Sequence, residues 1–300
     1  MKRVELIMNP AAGKGQLLDL LDTITERLQE HIEDVRVYQT TKPGDGAARV
    51  KEIGTDTDLI IAAGGDGTVH ELVNAVSALE KRPVFAILPG GTCNDFSRAL
   101  GLSQEPLDAL DQILAMRTKV VDVGCSSQGR YFLNFWGIGL ITQVSLDITS
   151  QDKQRLGRLA YYFSAIQNLW EARPFHLKVE TEEGPLFDGK AAMMVVGNGS
   201  FIGGVQGFFP QSRLDDGHFD LLIVKEATLE GAWSMLVSNM TKEWPESENL
   251  LYSHAASVSI TASPPQEIDC DGEKGEFTPV ELTALRNHLT MVVGQMPPNP

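Results

Sequence analysis

The residues Gly64-Gly65-Asp66-Gly67-Thr68 set three glycines, a carboxylate and a hydroxyl between an apolar run, Leu59 to Ala63, and a helix-like run that follows. Glycines let a backbone turn sharply and bring its N–H groups close to a ligand. The N-terminus of the next helix points its positive end at the same place. Those features suit a phosphate. A carboxylate repels a bare phosphate but suits one accompanied by Mg²⁺, which takes carboxylate and phosphate oxygens together. The pentapeptide therefore reads as a Mg²⁺-nucleotide site. The plainer alternative is a tight strand–helix turn with Asp66 as N-cap.

The segment Leu88-Pro89-Gly90-Gly91-Thr92-Cys93-Asn94-Asp95 repeats the arrangement after the next apolar run. Gly90 and Gly91 free the backbone, Thr92 offers a hydroxyl, and Asn94 and Asp95 offer oxygens; a turn capped by Asp95 is again the plainer alternative. A third such loop, Asn9-Pro10-Ala11-Ala12-Gly13-Lys14-Gly15, follows the first apolar run. It fails the spacing of a Walker A loop. Loops on successive strands favour one shared site, because open α/β sheets bind ligands outside the carboxyl ends of their strands.

The elements that would position these loops alternate. Strands are predicted at "VELIMNP", "VRVYQT", "DLIIAA" and "VFAILP". Helices are predicted where Leu17, Leu20, Leu21, Ile24, Leu28 and Ile32 recur at helical spacing, over Ala47 to Ile53, over Thr68 to Leu79, and on to about Met116. Alternation of this kind indicates a doubly wound α/β domain. Near Val121 the pattern changes to short strands joined by Gly, Asn and Asp turns: "VVDVGC", "RYFLNFWGI", "FHLKVETEEG", "KAAMMVVGNG" and "HFDLLIV". Two helical stretches interrupt them, Leu156 to Trp170 and Leu229 to Met240. A second domain, mostly antiparallel β, is expected from about residue 122, with "LTMVVG" as a strand that could return to the first domain and a frayed "PPNP" tail.

The chain has 300 residues, 42% of them hydrophobic, and a net charge of −15. That balance argues against nucleic-acid binding and against general attraction to an anionic membrane. No stretch is long and apolar enough to span a bilayer, and the N-terminus is too quickly polar for a signal peptide, so a cytoplasmic protein is expected. The three cysteines, Cys93, Cys125 and Cys270, are far apart and lack paired His spacing; reduced, mostly buried thiols are expected.

"NPAAGKG", "GGDGTVHELVNAV", "LPGGTCNDFSRALG", "LDDGHFDLLIV" and "DCDGE" occur in this order, and in this series the chain resembles the bacterial diacylglycerol kinase-like lipid kinases, relatives of sphingosine kinases. The resemblance covers essentially the whole chain. It implies an N-terminal α/β nucleotide-binding domain, residues 1–121 plus about 287–300, and a C-terminal antiparallel β-sandwich domain for the lipid, residues 122–286, with the active site in the cleft between. It implies ATP- and Mg²⁺-dependent transfer of the γ-phosphoryl group to a lipid hydroxyl, with diacylglycerol giving phosphatidic acid. Carried over residue by residue, Gly64, Gly65, Asp66, Gly67, Thr68, Val69 and His70 would hold the nucleotide phosphates, with Asn9, Thr40 and Thr92 beside them. Glu273 would accept the proton, and Asp66 and Asp95 would be acidic residues of the active site. The loop "RLDDGHF" resembles a Mg²⁺ loop, in which Asp216 would give a side-chain oxygen and Arg213 and His218 backbone carbonyls; an Asp-Gly hairpin turn is the alternative.

A lipid substrate implies transient contact with the inner face of the membrane. "KQRLGRLAYYF", with Lys153, Arg155 and Arg158 beside Tyr161, Tyr162 and Phe163, is a candidate docking helix, and an amphipathic helix packed on the sandwich is its alternative. Phe208 and Phe209 in "IGGVQGFFP" form a second candidate or a buried turn. A homodimer stays open. Rival functions are phosphorylation of another lipid (phosphatidylglycerol, a sphingoid base, a polyprenol), an NAD kinase-like activity, and a non-catalytic lipid-binding role.

Overall fold

In the computed structural model, residues 2–142, 174–206, 208–209, 211–226 and 247–295 are described. The chain divides into two units, Met1–Val123 with Asn287–Pro300, and Gly124–Arg286.

The first unit is built on parallel strands: β1 (Arg3–Met8), β2 (Asp34–Gln39), β3 (Leu59–Gly64) and β4 (Val84–Pro89), side by side in the order β2-β1-β3-β4. All six residues of β3 are buried, because helices cover both faces of such a sheet. Val4, Leu6, Met8, Leu59, Ile61, Ala63, Ala86 and Leu88 share one core with Leu17, Ile24 and Leu28 and with Ala109, Leu110 and Ile113. The intervening residues Ile7, Ile60, Ala62 and Phe85 are buried too. The connecting helices are α1 (Gln16–Asp19), α2 (Leu21–Gln29), α3 (Asp45–Ile53), α4 (Asp66–Ser77), α5 (Asp95–Ala99) and α6 (Pro106–Leu114). The single helix expected over Leu17 to Ile32 is broken: Leu20, at φ −94° and ψ −2°, separates α1 from α2. α4 starts two residues before the expected Thr68, so Asp66 is its first residue and Gly65 its N-cap.

Glu5 on β1 is buried, and Arg49 of α3 donates from Nε to its Oε1 at 2.6 Å. The Arg49 guanidinium also lies 5.4 Å from the centroid of the Tyr38 ring. The carboxylate of Glu5 holds the Arg49 pKa above its ordinary value.

The second unit is an antiparallel β-sandwich. After β5 (Thr118–Ser126), its elements are β6 (Tyr131–Phe132), β7 (Phe135–Gly139), β8 (Phe175–Thr181), β9 (Gly184–Ala191), β10 (Met193–Gly197), β11 (Phe201–Ile202), β12 (Val205–Gln206), β13 (Phe219–Val224), β14 (Leu250–Ala255), β15 (Ser257–Ser263), β16 (Glu267–Cys270), β17 (Glu273–Phe277) and the start of β18 (Val280–Val292). One sheet runs β14-β13-β10-β7-β16-β17, and β18, β15, β8 and β9 lie side by side in the other. Burial alternates along β8 and β15, as a one-sided strand requires. Their inward residues Leu177, Val179, Val258 and Ile260 share a core with Trp136, Ile138, Met194, Val196, Phe219 and Leu221. β10 and β13 are buried on both faces; Val195 and Leu222 pack on the far side with Phe135, Ile202 and Phe209.

The strand expected through "RYFLNFWGI" is interrupted at Leu133 and Asn134, between β6 and β7. The N–H groups of Leu133, Asn134 and Phe135 donate instead to the carboxylate of Asp271, at 2.7, 2.9 and 2.9 Å. β18 begins in the second unit, where Leu282 pairs with Val258, and ends in the first, where Met291 pairs in parallel with Phe85. The helices expected over Leu156 to Trp170 and Leu229 to Met240, the basic–aromatic docking segment and the "PPNP" tail lie outside the described residues. Of the phenylalanine pair, Phe209 is fully buried, which favours the buried turn at that residue.

Candidate functional site

The order of the first sheet reverses between β1 and β3: the chain goes from β1 to one neighbour and later adds β3 and β4 on the other side. Such a switch point opens a crevice at the carboxyl ends of the strands. Asn9, which follows β1, lies here, its N–H donating to Ala63 O at 3.0 Å. Its side-chain amide reaches Thr68 Oγ1 at 3.4 Å, and its Oδ1 accepts the Ala11 N–H at 3.0 Å. Thr40, after β2, joins the same edge: its N–H donates to Met8 O at 2.8 Å.

The glycines of the three loops pack on one another. Gly90 N–H, one residue beyond β4, donates to the O of Gly64, the last residue of β3, at 2.8 Å. A Cβ on Gly91 would lie 2.6 Å from Gly65 Cα, and one on Gly64 would lie 2.5 Å from Thr68 Oγ1. A Cβ on Gly13 would collide with the Gly90 carbonyl, and Gly13 also has φ +58°. Gly91 and Gly13 are therefore required by loop-on-loop contact, Gly64 by its own helix start, and Gly13 by turning as well.

Asp66 fastens the two main loops together. Its Oδ2 accepts the Asn94 N–H at 2.9 Å, and its Oδ1 accepts the Asp95 N–H at 2.7 Å. Asp66 is thus not the N-cap of its own helix. Asp95 is not an N-cap either: it is the first residue of α5, preceded by Asn94 in the left-handed region at φ 51°. Asn94 closes its loop by accepting from Gly91 N–H at 2.8 Å and donating to Gly91 O at 3.0 Å. Asp95 is 7% exposed. α4 has no side-chain cap, so its first turn presents backbone N–H groups and a dipole end to the crevice. Gly67 and Thr92 are exposed, while Thr68 and His70 are half-buried. Val69 is 7% exposed and its N–H donates to Gly65 O at 3.1 Å, so it belongs to the helix and its core.

Glu71 was not legible as a site-shaping residue. From α4 its carboxylate accepts the Ala47 N–H at 2.9 Å and the Gly44 N–H at 3.2 Å, capping α3 from a distance. Only a structure shows it, because donor and acceptor are more than 20 residues apart in sequence.

In the second unit, Asp269-Cys270-Asp271-Gly272-Glu273 forms a two-residue hairpin between β16 and β17, with Cys270 paired to Glu273. Asp271 at φ 53° and Gly272 at φ 92° give the two left-handed residues that such a turn needs. Asp269 is buried and its Oδ1 accepts the Gly272 N–H at 2.8 Å. Asp271 holds the Leu133–Phe135 amides. Glu273 is exposed; Arg130 donates to its carbonyl at 3.1 Å, and its carboxylate bonds to no described residue. Of the three acids in the motif, Glu273 alone has a carboxylate with no partner among the described residues.

The loop with Arg213, Asp216 and His218 is a turn closed on itself. Asp216 Oδ1 accepts the His218 N–H at 3.0 Å, the His218 ring nitrogen Nδ1 lies 3.0 Å from Asp216 O, and Arg213 faces Asp215 at 3.6 Å. Among the described residues no cluster of three or more His, Cys, Asp or Glu could hold a metal, so a cation here would depend on backbone carbonyls beside Asp216. At the first site the Asp66 carboxylate lies beside Asp95, whose N–H it accepts at 2.7 Å, and carboxylate oxygens are the side-chain ligands that Mg²⁺ takes. None of the three cysteines is in a disulfide; Cys270 is buried, but Cys93 and Cys125 are only partly so, which corrects the expectation of mostly buried thiols. Burial pushes the Cys125 and Cys270 thiols up, away from the thiolate.

No helix among the described residues is long and apolar enough to cross a membrane. Residues 3–126 match the diacylglycerol kinase catalytic domain, and residues 140–293 match the YegS C-terminal NAD kinase beta sandwich-like domain. The chain is 34% identical to a diacylglycerol kinase of Bacillus subtilis (strain 168) over 98% of its length and 97% of the relative's. A diacylglycerol kinase of Staphylococcus epidermidis is 32% identical over 96% of this chain and 91% of its own. A crystal structure of a diacylglycerol kinase from Bacillus anthracis str. Sterne superposes with a TM-score of 0.83 at 35% identity, covering 98% of this chain and 97% of the other. An NAD kinase from Archaeoglobus fulgidus shares the fold at 11% identity and a TM-score of 0.54, over 96% of this chain and 93% of its own. An N-terminal parallel α/β unit with glycine loops at its switch point, an antiparallel sandwich carrying an exposed glutamate on a hairpin, and relatives matched along nearly the whole chain lead to one conclusion: the chain belongs to the diacylglycerol kinase-like family of lipid kinases.

Proposed function

We propose that this lipid kinase transfers the γ-phosphoryl group of ATP, with Mg²⁺, to the free hydroxyl of diacylglycerol, giving phosphatidic acid. The observation that carries the reading is the junction of three glycine loops at the carboxyl ends of β1, β3 and β4, tied by Asp66 to Asn94 and Asp95. Phosphoryl transfer leaves a protein little covalent work, so positioning and charge stabilisation dominate. The uncapped first turn of α4 and the glycine-loop amides bind and orient the triphosphate, with Asn9, Thr40, Thr68, His70 and Thr92 around it. Asp66, with Asp95 beside it, would hold Mg²⁺, which when bound supplies neutralisation of charge on the phosphates. Glu273 takes the proton from the lipid hydroxyl as its oxygen attacks phosphorus; the new O–P bond forms as the bond to ADP breaks. The carbonyls of Arg213 and His218, with a side-chain oxygen of Asp216, would hold a second, structural Mg²⁺.

The protein works at the inner face of the membrane, where its lipid substrate lies. Incubation with labelled ATP, Mg²⁺ and separate micelles of diacylglycerol, phosphatidylglycerol, a sphingoid base and a polyprenol tests the reading. Label in phosphatidic acid is the expected result. Label in another lipid alone overturns the substrate, label in NADP when NAD is added overturns the lipid acceptor, and no label in any acceptor overturns catalysis.

A further inference from the structure

We propose that Asn198 is a positioning residue for Glu273, acting through the backbone of Leu133 and Asn134. The inference rests on the reading of Glu273 as the proton acceptor. Glu273 is the first residue of β17, and its backbone is set by the turn at Asp271-Gly272. That turn leans on the break between β6 and β7: the Asp271 carboxylate accepts the N–H groups of Leu133, Asn134 and Phe135, and the Asp271 N–H donates to Phe135 O at 3.0 Å. The break exposes two carbonyls as well as three amides, and a buried carbonyl needs a donor. Asn198, only 1% exposed at the end of β10, supplies it. Its Nδ2 donates to Leu133 O at 2.9 Å. Its N–H donates to Asn134 O at 2.8 Å, and Gly199 N–H donates to the same oxygen at 3.0 Å.

The two-residue segment is therefore held from both sides, its amides by Asp271 and its carbonyls by Asn198 and Gly199. The fit is close, since a Cβ on Gly199 would lie 3.1 Å from Asn134 Oδ1 and 3.4 Å from Leu133 O. Removing the Asn198 side chain leaves Leu133 O without its donor inside the fold, and the segment shifts to find another. Asp271 follows its three amides, and Glu273 follows Asp271. A displacement of about 1 Å at a reacting group can cost roughly 10²-fold in rate.

The test is a double-mutant cycle on the full chain, with labelled ATP and diacylglycerol micelles as substrates. Asn198→Ala is expected to lower kcat roughly 10- to 100-fold and to leave KM for ATP within about twofold. In a Glu273→Gln background the same change is expected to cost less than about twofold, because residues that act as a unit are not additive. Equal losses in both backgrounds, or a loss in ATP affinity matching the loss in kcat, would overturn the inference while leaving Glu273 as the base. Full turnover by Glu273→Gln itself would overturn both. If Asn198→Ala melts non-cooperatively, Asn198→Asp, which keeps the shape and loses the Nδ2 donor, carries the same cycle with the same deciding outcomes.

Discussion

The carboxylate of Asp66 accepts the backbone N–H of Asn94 at 2.9 Å, across 28 residues of sequence. With the matching bond to Asp95, it makes one side chain responsible for the spacing of the loops that follow β3 and β4. Asp66→Ala is therefore expected to loosen the second loop as well as to weaken Mg²⁺-ATP binding. Hydrogen bonds to a charged group contribute about 1.5–3 kcal/mol each, so the change is expected to lower unfolding stability by about 2 kcal/mol or more. Hydrogen exchange at the Asn94 and Asp95 amides should accelerate in the mutant; unchanged exchange there would show that the bonds do not hold the loop.

Gly91 and Gly15 separate two reasons for glycine. A Cβ on Gly91 meets backbone at Gly65 Cα, 2.6 Å away, whereas Gly15, at φ +88°, has nothing within 4 Å of an added Cβ. Gly91→Ala is expected to cost roughly 1–3 kcal/mol by overpacking and to weaken ATP binding. Gly15→Ala should show only the strain of a left-handed backbone, about 1–2 kcal/mol, with ATP affinity kept. Calorimetric titration of both variants with ATP distinguishes them.

Glu273→Gln is expected to lower kcat by roughly 10²–10⁴-fold, the usual worth of general-base help, with ATP affinity retained. The carboxylate makes no bond to a described residue, so thermal stability should stay close to that of the parent protein. A melting curve beside the kinetics checks both halves of the expectation.

Arg49 neutralises a carboxylate that has almost no contact with water, the side chains being 17% and 1% exposed for Arg49 and Glu5. Arg49→Ala leaves that charge buried and alone, which typically costs about 3–5 kcal/mol. The double change Glu5→Leu with Arg49→Met should recover most of the loss. Urea denaturation of the three variants measures it; a mild effect of Arg49→Ala alone would refute the pairing.

His288 sits on β18 with its Nε2 3.2 Å from Ser77 O. Burial first, then the nearby Arg82 charge, pull its pKa below the ordinary 6.5. The unfolded chain then takes up a proton that the folded one resists. The stability this group contributes is fully present above pH 6.5 and is lost as pH falls toward the folded pKa. His288→Gln should flatten that part of the curve of melting temperature against pH, and an unaltered slope would argue against it.

The class of the fold was legible because burial on two faces leaves a mark: "DLIIAA" is apolar throughout, while "FHLKVETEEG" alternates. The break at Leu20 was not, since the helical spacing of leucines continues across it. Glycine-rich loops were visible as turns, but the contact between Gly91 and Gly65 joins residues whose neighbourhood only the parallel pairing of β3 with β4 creates. Asp66 was visible as a charge in a glycine loop, but the amides of Asn94 and Asp95 that it accepts belong to another loop. In the same way three acids stood in "DCDGE" with nothing in the sequence to rank them. Their difference lies in partners: a turn amide for Asp269, three interrupted-strand amides for Asp271, and none among described residues for Glu273.

The path of β18 sets an order of events during synthesis. Phe85 on β4 finds its parallel neighbour in Met291, so a nascent chain that has already threaded out all three glycine loops still lacks the strand that seals β4. Roughly two hundred further residues must leave the ribosome before the parallel sheet can close, and a chain halted earlier would expose a sticky, unsealed edge.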